Sequence, residues 1–177
     1  MTLRLLIALA LIATACGGQT QQSVPAAAPV PLKHFPLDSM DEVRAASGVS
    51  LDTAVSSDQK GSLRVDATGP TVVALFEVTD VSIEDAVLVY QAAVQSEGLE
   101  GQAFLEMWVR IPGKGEFFSR GLDHPLSGTM SWMTVSTPFF LEAGQKPDLI
   151  RLNLSINGKG KVWIDDISLL RQPLPSR

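Results

Sequence analysis

Residues 149–170 read L-I-R-L-N-L-S-I-N-G-K-G-K-V-W-I-D-D-I-S-L-L, and this stretch decides the fold. Ile150, Leu152, Leu154 and Ile156 alternate with Arg151, Asn153, Ser155 and Asn157. A strand has a side-chain period of two, so one face of this segment is apolar and the other polar. Asn157, Gly158, Lys159 and Gly160 are the residue types that a tight reversal favours, and residues 162–170 then return as a second, more buried strand. The expectation is an antiparallel hairpin, with Trp163 in the core.

Working outward, further strands are expected at 49–52, 62–67, 72–79, 86–95, 102–111, 130–137 and 139–142. Turn signals separate them at Asp80, at Glu97-Gly98, over 112–115 and over 144–148. About nine short strands without an amphipathic helix predict an all-β fold of two packed antiparallel sheets. Residues 113–128, with Phe117, Phe118, Ser119 and Arg120, read as the longest loop, one that anchors on the core or sets specificity.

The chain has 177 residues, 45% hydrophobic and 19% charged, which suits one domain with a sizeable core plus appendages. Its formal net charge is -5. With no basic cluster, there is no electrostatic footing for nucleic acid. The single cysteine, Cys16, rules out an internal disulfide and a zinc cluster of thiolates.

That cysteine ends a characteristic leader. After Arg4, residues 5–13 carry no charged or polar side chain and are too few to cross a bilayer as a helix, which reads as an export signal. The run Ala13-Thr14-Ala15-Cys16-Gly17 resembles the lipobox of bacterial lipoproteins. The resemblance implies that Cys16 is lipidated, becomes the new N-terminus and holds the protein to a membrane of the bacterial cell envelope. Gly17 in the next position is compatible with the outer membrane. Residues rich in Gln, Ala and Pro follow and read as a flexible tether. The expected organisation is a signal peptide over 1–15, lipidated cysteine and tether over 16–36, a β-sandwich over 37–171 and a tail over 172–177.

One predicted sheet face mixes aromatic and charged groups. Gln102, Phe104, Glu106, Trp108 and Arg110 alternate with an apolar row, and Arg151, Asn153 and Ser155 extend the pattern on the closing strands. Tyr90 is expected on this face as well. Aromatic rings stack on sugar faces while amides, guanidinium and carboxylate take hydroxyls, so Tyr90, Glu106, Trp108, Arg110, Arg151 and Asn153 form a candidate glycan surface. The same residues also read as a solvated sheet with cross-strand ion pairs. Catalysis finds little support. Ser119, Asp123 and His124 lack the glycine-flanked serine of a hydrolase elbow. Glu77, Glu106 and Glu116 could supply the two carboxylates of a glycosidase only if the fold brought a pair together. Two histidines, His34 and His124, make a histidine metal centre improbable.

The segments S-L-R-V-D-A from Ser62, G-L-E-G-Q-A-F-L-E-M-W-V from Gly98, L-S-G-T-M-S-W from Leu126 and G-K-G-K-V-W-I-D-D-I from Gly158 are similar to galactose-binding-like jelly rolls, as in carbohydrate-binding modules of bacterial glycosidases. The resemblance implies a two-sheet jelly-roll sandwich that binds a carbohydrate or envelope glycan without catalysis and requires no cofactor. A structural or protein-interaction envelope lipoprotein is the alternative, and a glycoside hydrolase-like enzyme a weaker one. The same resemblance implies a structural calcium between Asp41 or Glu42 and Asp165 or Asp166, whose hard oxygens suit that cation.

Overall fold

The computed structural model describes residues 28–45 and 48–175. The expected signal peptide, Cys16 and the first part of the expected tether lie outside the described residues. The described chain is all β: β1 (Val30–Phe35), β2 (Val49–Asp52), β3 (Ser62–Ala67), β4 (Thr71–Thr79), β5 (Ala86–Ile111), β6 (Gly115–Arg120), β7 (Leu126–Leu141) and β8 (Leu149–Gln172).

β5 and β8 form the spine, running antiparallel from Val87 opposite Gln172 to Arg110 opposite Leu149. On the outer side of β8, β4 pairs with its first half, β3 with the middle and β1 with its end, while β2 pairs with β3. On the other side of β5, β7 pairs with the first half and β6 with the second. One half of the sheet is therefore β4-β8-β5-β6, and the other is β1 and β3 beside β8, then β5 and β7. Ile150, Leu152, Leu154 and Ile156 from the first half share one apolar cluster with Ala86, Leu88, Tyr90, Ile164 and Leu169 from the second. The two halves thus pack face to face, as a jelly-roll sandwich does.

The spine corrects the expected hairpin. Residues 157–160 do not reverse the chain; they carry β8 from one half of the sandwich to the other, alongside residues 97–101 of β5. The glycines serve close backbone approach instead. A Cβ on Gly158 would stand 1.9 Å from the Glu100 carbonyl oxygen, and one on Gly101 2.1 Å from that of Asn157. The segments 86–95 and 102–111 likewise join into one 26-residue strand, as do 130–137 and 139–142 within β7; with β1 and β6 added, the described residues form eight strands where about nine were expected.

The tether expectation also ends too late, because residues 30–35 form β1. Leu32 and Phe35 pack against the core, and Phe35 stacks on Phe76 with ring centroids 3.8 Å apart. Prolines at 29, 31 and 36 hid this strand; an edge position tolerates them. Trp163 is buried, but on the face of β8 away from the core cluster. There its indole donates to Asp52 at 2.9 Å, beneath the β2–β3 connection.

Candidate functional site

On the second half of β5, Leu105, Met107 and Val109 point into the core, so Phe104, Glu106, Trp108 and Arg110 point out. Register brings neighbours to them: Ser155, Asn153 and Arg151 on β8 stand opposite Phe104, Glu106 and Trp108. Arg120, Phe118 and Glu116 on β6 stand opposite Glu106, Trp108 and Arg110. Glu77 on β4 stands opposite Arg151.

Glu106 is the hub of this face, only 3% exposed. Its Oε2 accepts from Arg120 Nε at 2.9 Å and also from the Arg120 Nη2. Its Oε1 accepts from the Trp108 indole at 2.8 Å and from the Asn153 amide at 3.5 Å. Burial pushes its carboxyl up, but the bonds from Arg120 and Trp108 outweigh that, and the net shift lies below the usual carboxylate range. Glu106 is therefore a fixed anion that aims a ring, a guanidinium and an amide.

The ring it holds does not stand alone. Phe118, 57% exposed, lies 5.1 Å from Trp108 at a 31° tilt. The Arg120 guanidinium carbon sits 5.9 Å from both the Phe118 and Phe104 rings. The result is an aromatic shelf edged by a guanidinium and an amide. Farther out, Arg110 grips Asp148 with two bonds, of 2.8 and 3.1 Å. Arg151 bonds Glu116 at 2.9 Å and reaches Glu77 at 3.4 Å. Both ion-pair partnerships match the solvated-sheet reading, so Arg110 and Arg151 frame the shelf rather than offer free charges.

Five of the six expected ligand residues share this face. Tyr90 does not: it is completely buried in the core, and its hydroxyl has no partner. Conversely, Phe118 and Arg120 belong to a strand, not to a loop. The signal for it was the alternation Glu116, Phe118, Arg120 straight after the turn residues 112–115.

Of the hydrolytic candidates, Ser119, Glu77 and Glu116 are engaged by other groups. Ser119 bonds Thr137 Oγ1 at 2.7 Å and donates to the Pro138 carbonyl at 2.5 Å. Glu77 and Glu116 both serve Arg151. Among the described residues no group of three or more His, Cys, Asp or Glu is placed to hold a metal. Asp165 Oδ2 instead accepts from the Ser57 amide and hydroxyl at 2.8 and 2.7 Å, and its Oδ1 from the Asp166 amide at 2.8 Å. Asp166 pairs with His34 at 2.5 Å, and Asp41 with Ser39 at 2.8 Å.

Fold and face together define a jelly-roll sandwich of the architecture found in carbohydrate-binding modules. Among solved structures, the CBM22-1 xylan-binding domain of Paenibacillus barcinonensis Xyn10C aligns over 84% of this chain and 100% of its own, with a TM-score of 0.58 and 17% identity. The CBM22-1-CBM22-2 tandem of the same protein gives 0.61 at 16% identity, over 88% of this chain and 48% of its own. The CBM22-1-GH10 modules of a Clostridium thermocellum xylanase complexed with xylohexaose also give 0.61, at 9% identity, over 84% of this chain and 30% of that one. At these identities the likeness speaks to the fold. No protein-family model matches this sequence, nor does any curated protein.

Proposed function

We propose that this protein is an envelope-anchored, non-catalytic carbohydrate-binding module whose ligand lies across the β4-β8-β5-β6 face. The observation that carries the reading is the Glu106 hub, which fixes Trp108, Arg120 and Asn153 beside the exposed Phe118. Preorganising an aromatic platform with flanking donors is what sugar recognition requires, since it removes the ordering cost of each contact. The neighbours named for xylan make that polysaccharide the first to try. Cys16, in its lipobox-like setting, is the residue proposed to carry the lipid that displays the module.

Affinity electrophoresis and calorimetry of the purified protein against xylan and a panel of other uncharged polysaccharides test the ligand. Saturable binding that Trp108→Ala weakens about tenfold or more is the expected result. A folded protein that binds none of the panel overturns the ligand class and leaves the protein-docking alternative.

A further inference from the structure

Each guanidinium beside the aromatic shelf already holds a carboxylate. Arg120 is bound to Glu106 and Arg110 to both oxygens of Asp148, while Arg151 holds two carboxylates at once. Its Nη1 donates to Glu116 Oε1 at 2.9 Å, and its Nε lies 3.4 Å from Glu77 Oε1. The other Glu77 oxygen is 3.1 Å from Arg44, in the connection from β1 to β2.

The Arg151–Glu116 pair has an uncommon span. Arg151 stands on β8 and Glu116 on β6, with β5 between them. Neighbouring strands are about 4.8 Å apart, so side chains extended from both sides close a backbone gap of roughly 10 Å. In register Arg151 is opposite Trp108, and Glu116 shares a face of β6 with Phe118 two residues on. The pair is therefore a bar laid across the strand that carries Trp108, along one edge of the shelf.

The charges on this face cancel. Arg44, Arg110, Arg120 and Arg151 meet an equal number of carboxylates, those of Glu77, Glu106, Glu116 and Asp148. Lys114 and Asp123, in the turn before β6 and the loop after it, add one charge of each sign. A neutral sugar thus meets little net field, whereas an anionic one must displace a resident carboxylate and approach a chain of formal net charge -5. Among these carboxylates Glu106 is buried and aims Trp108 and Asn153. Glu116 is exposed, and among the described residues its side chain bonds Arg151 alone, so what it contributes to the shelf is charge.

We propose that Glu116 sets the charge selectivity of this face: by occupying Arg151 beside Trp108 it keeps the shelf for neutral glycans and turns away those that carry carboxylate or sulfate groups. This rests on the carbohydrate reading above and adds the ligand class that the face rejects and the residue responsible. Glu116→Gln keeps the side chain's size and an acceptor for Arg151 but removes the charge. An exposed ion pair contributes little to stability, so the variant is expected to fold.

The test measures, by calorimetry at low ionic strength, the affinities for a linear xylo-oligosaccharide and for the same oligosaccharide bearing one glucuronic acid branch. Wild type is expected to bind the acidic ligand several-fold more weakly than the neutral one. Glu116→Gln is expected to raise the ratio of acidic to neutral affinity about tenfold, a gain that fades in about 0.5 M salt. Glu100→Gln removes the same charge from the exposed pair with Lys159 at the bend of β5 and should leave the ratio unchanged. A wild type that binds both oligosaccharides equally overturns the proposal and leaves the carbohydrate reading intact, as does a ratio that Glu100→Gln shifts as much as Glu116→Gln. Binding of neither by the folded protein, alongside a polysaccharide panel that yields no ligand, overturns the ligand class and this proposal together.

Discussion

Tyr90 is the chain's only tyrosine, and it buries a hydroxyl with no partner. An unsatisfied buried hydroxyl costs on the order of 1 kcal/mol or more, so Tyr90→Phe is expected to raise the melting temperature. Burial also pushes the phenol far above its usual range. A raised acid value leaves stability intact below the unfolded phenol's value near 10 and erodes it as pH climbs beyond that. Tyrosinate absorbance should therefore appear only together with alkaline unfolding, whereas a smooth titration of folded protein near pH 10 would contradict this burial. Glu106 has the opposite sign. Its depressed value adds stability above the unfolded carboxylate value near 4.3, and this is lost as pH falls through the lower folded one. Removing it strands Arg120, which is partly exposed, so Glu106→Ala is expected to cost about 2 to 3 kcal/mol, below the full penalty of a broken buried pair. The gap between wild type and variant in thermal unfolding should be widest near neutrality and close towards pH 3.

The glycines at the bend of β5 and β8 set an element's tolerance. Gly158→Ala drives a Cβ against the Glu100 carbonyl and is expected to abolish folding. Gly144→Ala meets open space at φ +78° and should cost about 1 to 2 kcal/mol, the ordinary strain of a left-handed residue. Urea unfolding of the pair checks the contrast. These same glycines explain what the sequence could and could not disclose. The period of two read correctly wherever one face was polar: Ile150, Leu152, Leu154 and Ile156 are all buried, as are Leu105, Met107 and Val109. Asn157 to Gly160 misled because glycine suits a reversal and a close crossing alike, and only the partner strand distinguishes them. Tyr90 misled because Val87, Leu88 and Val89 before it are all buried, so alternation carried no sidedness there. The candidate face was legible through Glu106 and Trp108 on one strand, while Arg120 and Phe118 reach it only through the pairing of β6.

For the whole molecule, Trp108→Ala is expected to weaken polysaccharide binding about tenfold or more without lowering the melting temperature by more than a few degrees. Cys16→Ser should move the protein from the membrane to the soluble fraction of fractionated cells. The two variants test the proposed anchoring and the proposed recognition separately. The spine of β5 and β8 also has a temporal consequence. β8 supplies the neighbour of β1, β3, β4 and β5 and is the last strand of the described chain. Until it emerges from the ribosome, β1, β3 and β4 lack the strand they pair with and the core cannot close. Contacts so distant in sequence form slowly. A chain that stays open until its final strand is made spends the whole of its synthesis without a closed core, so its early strands depend on the last one for their shelter.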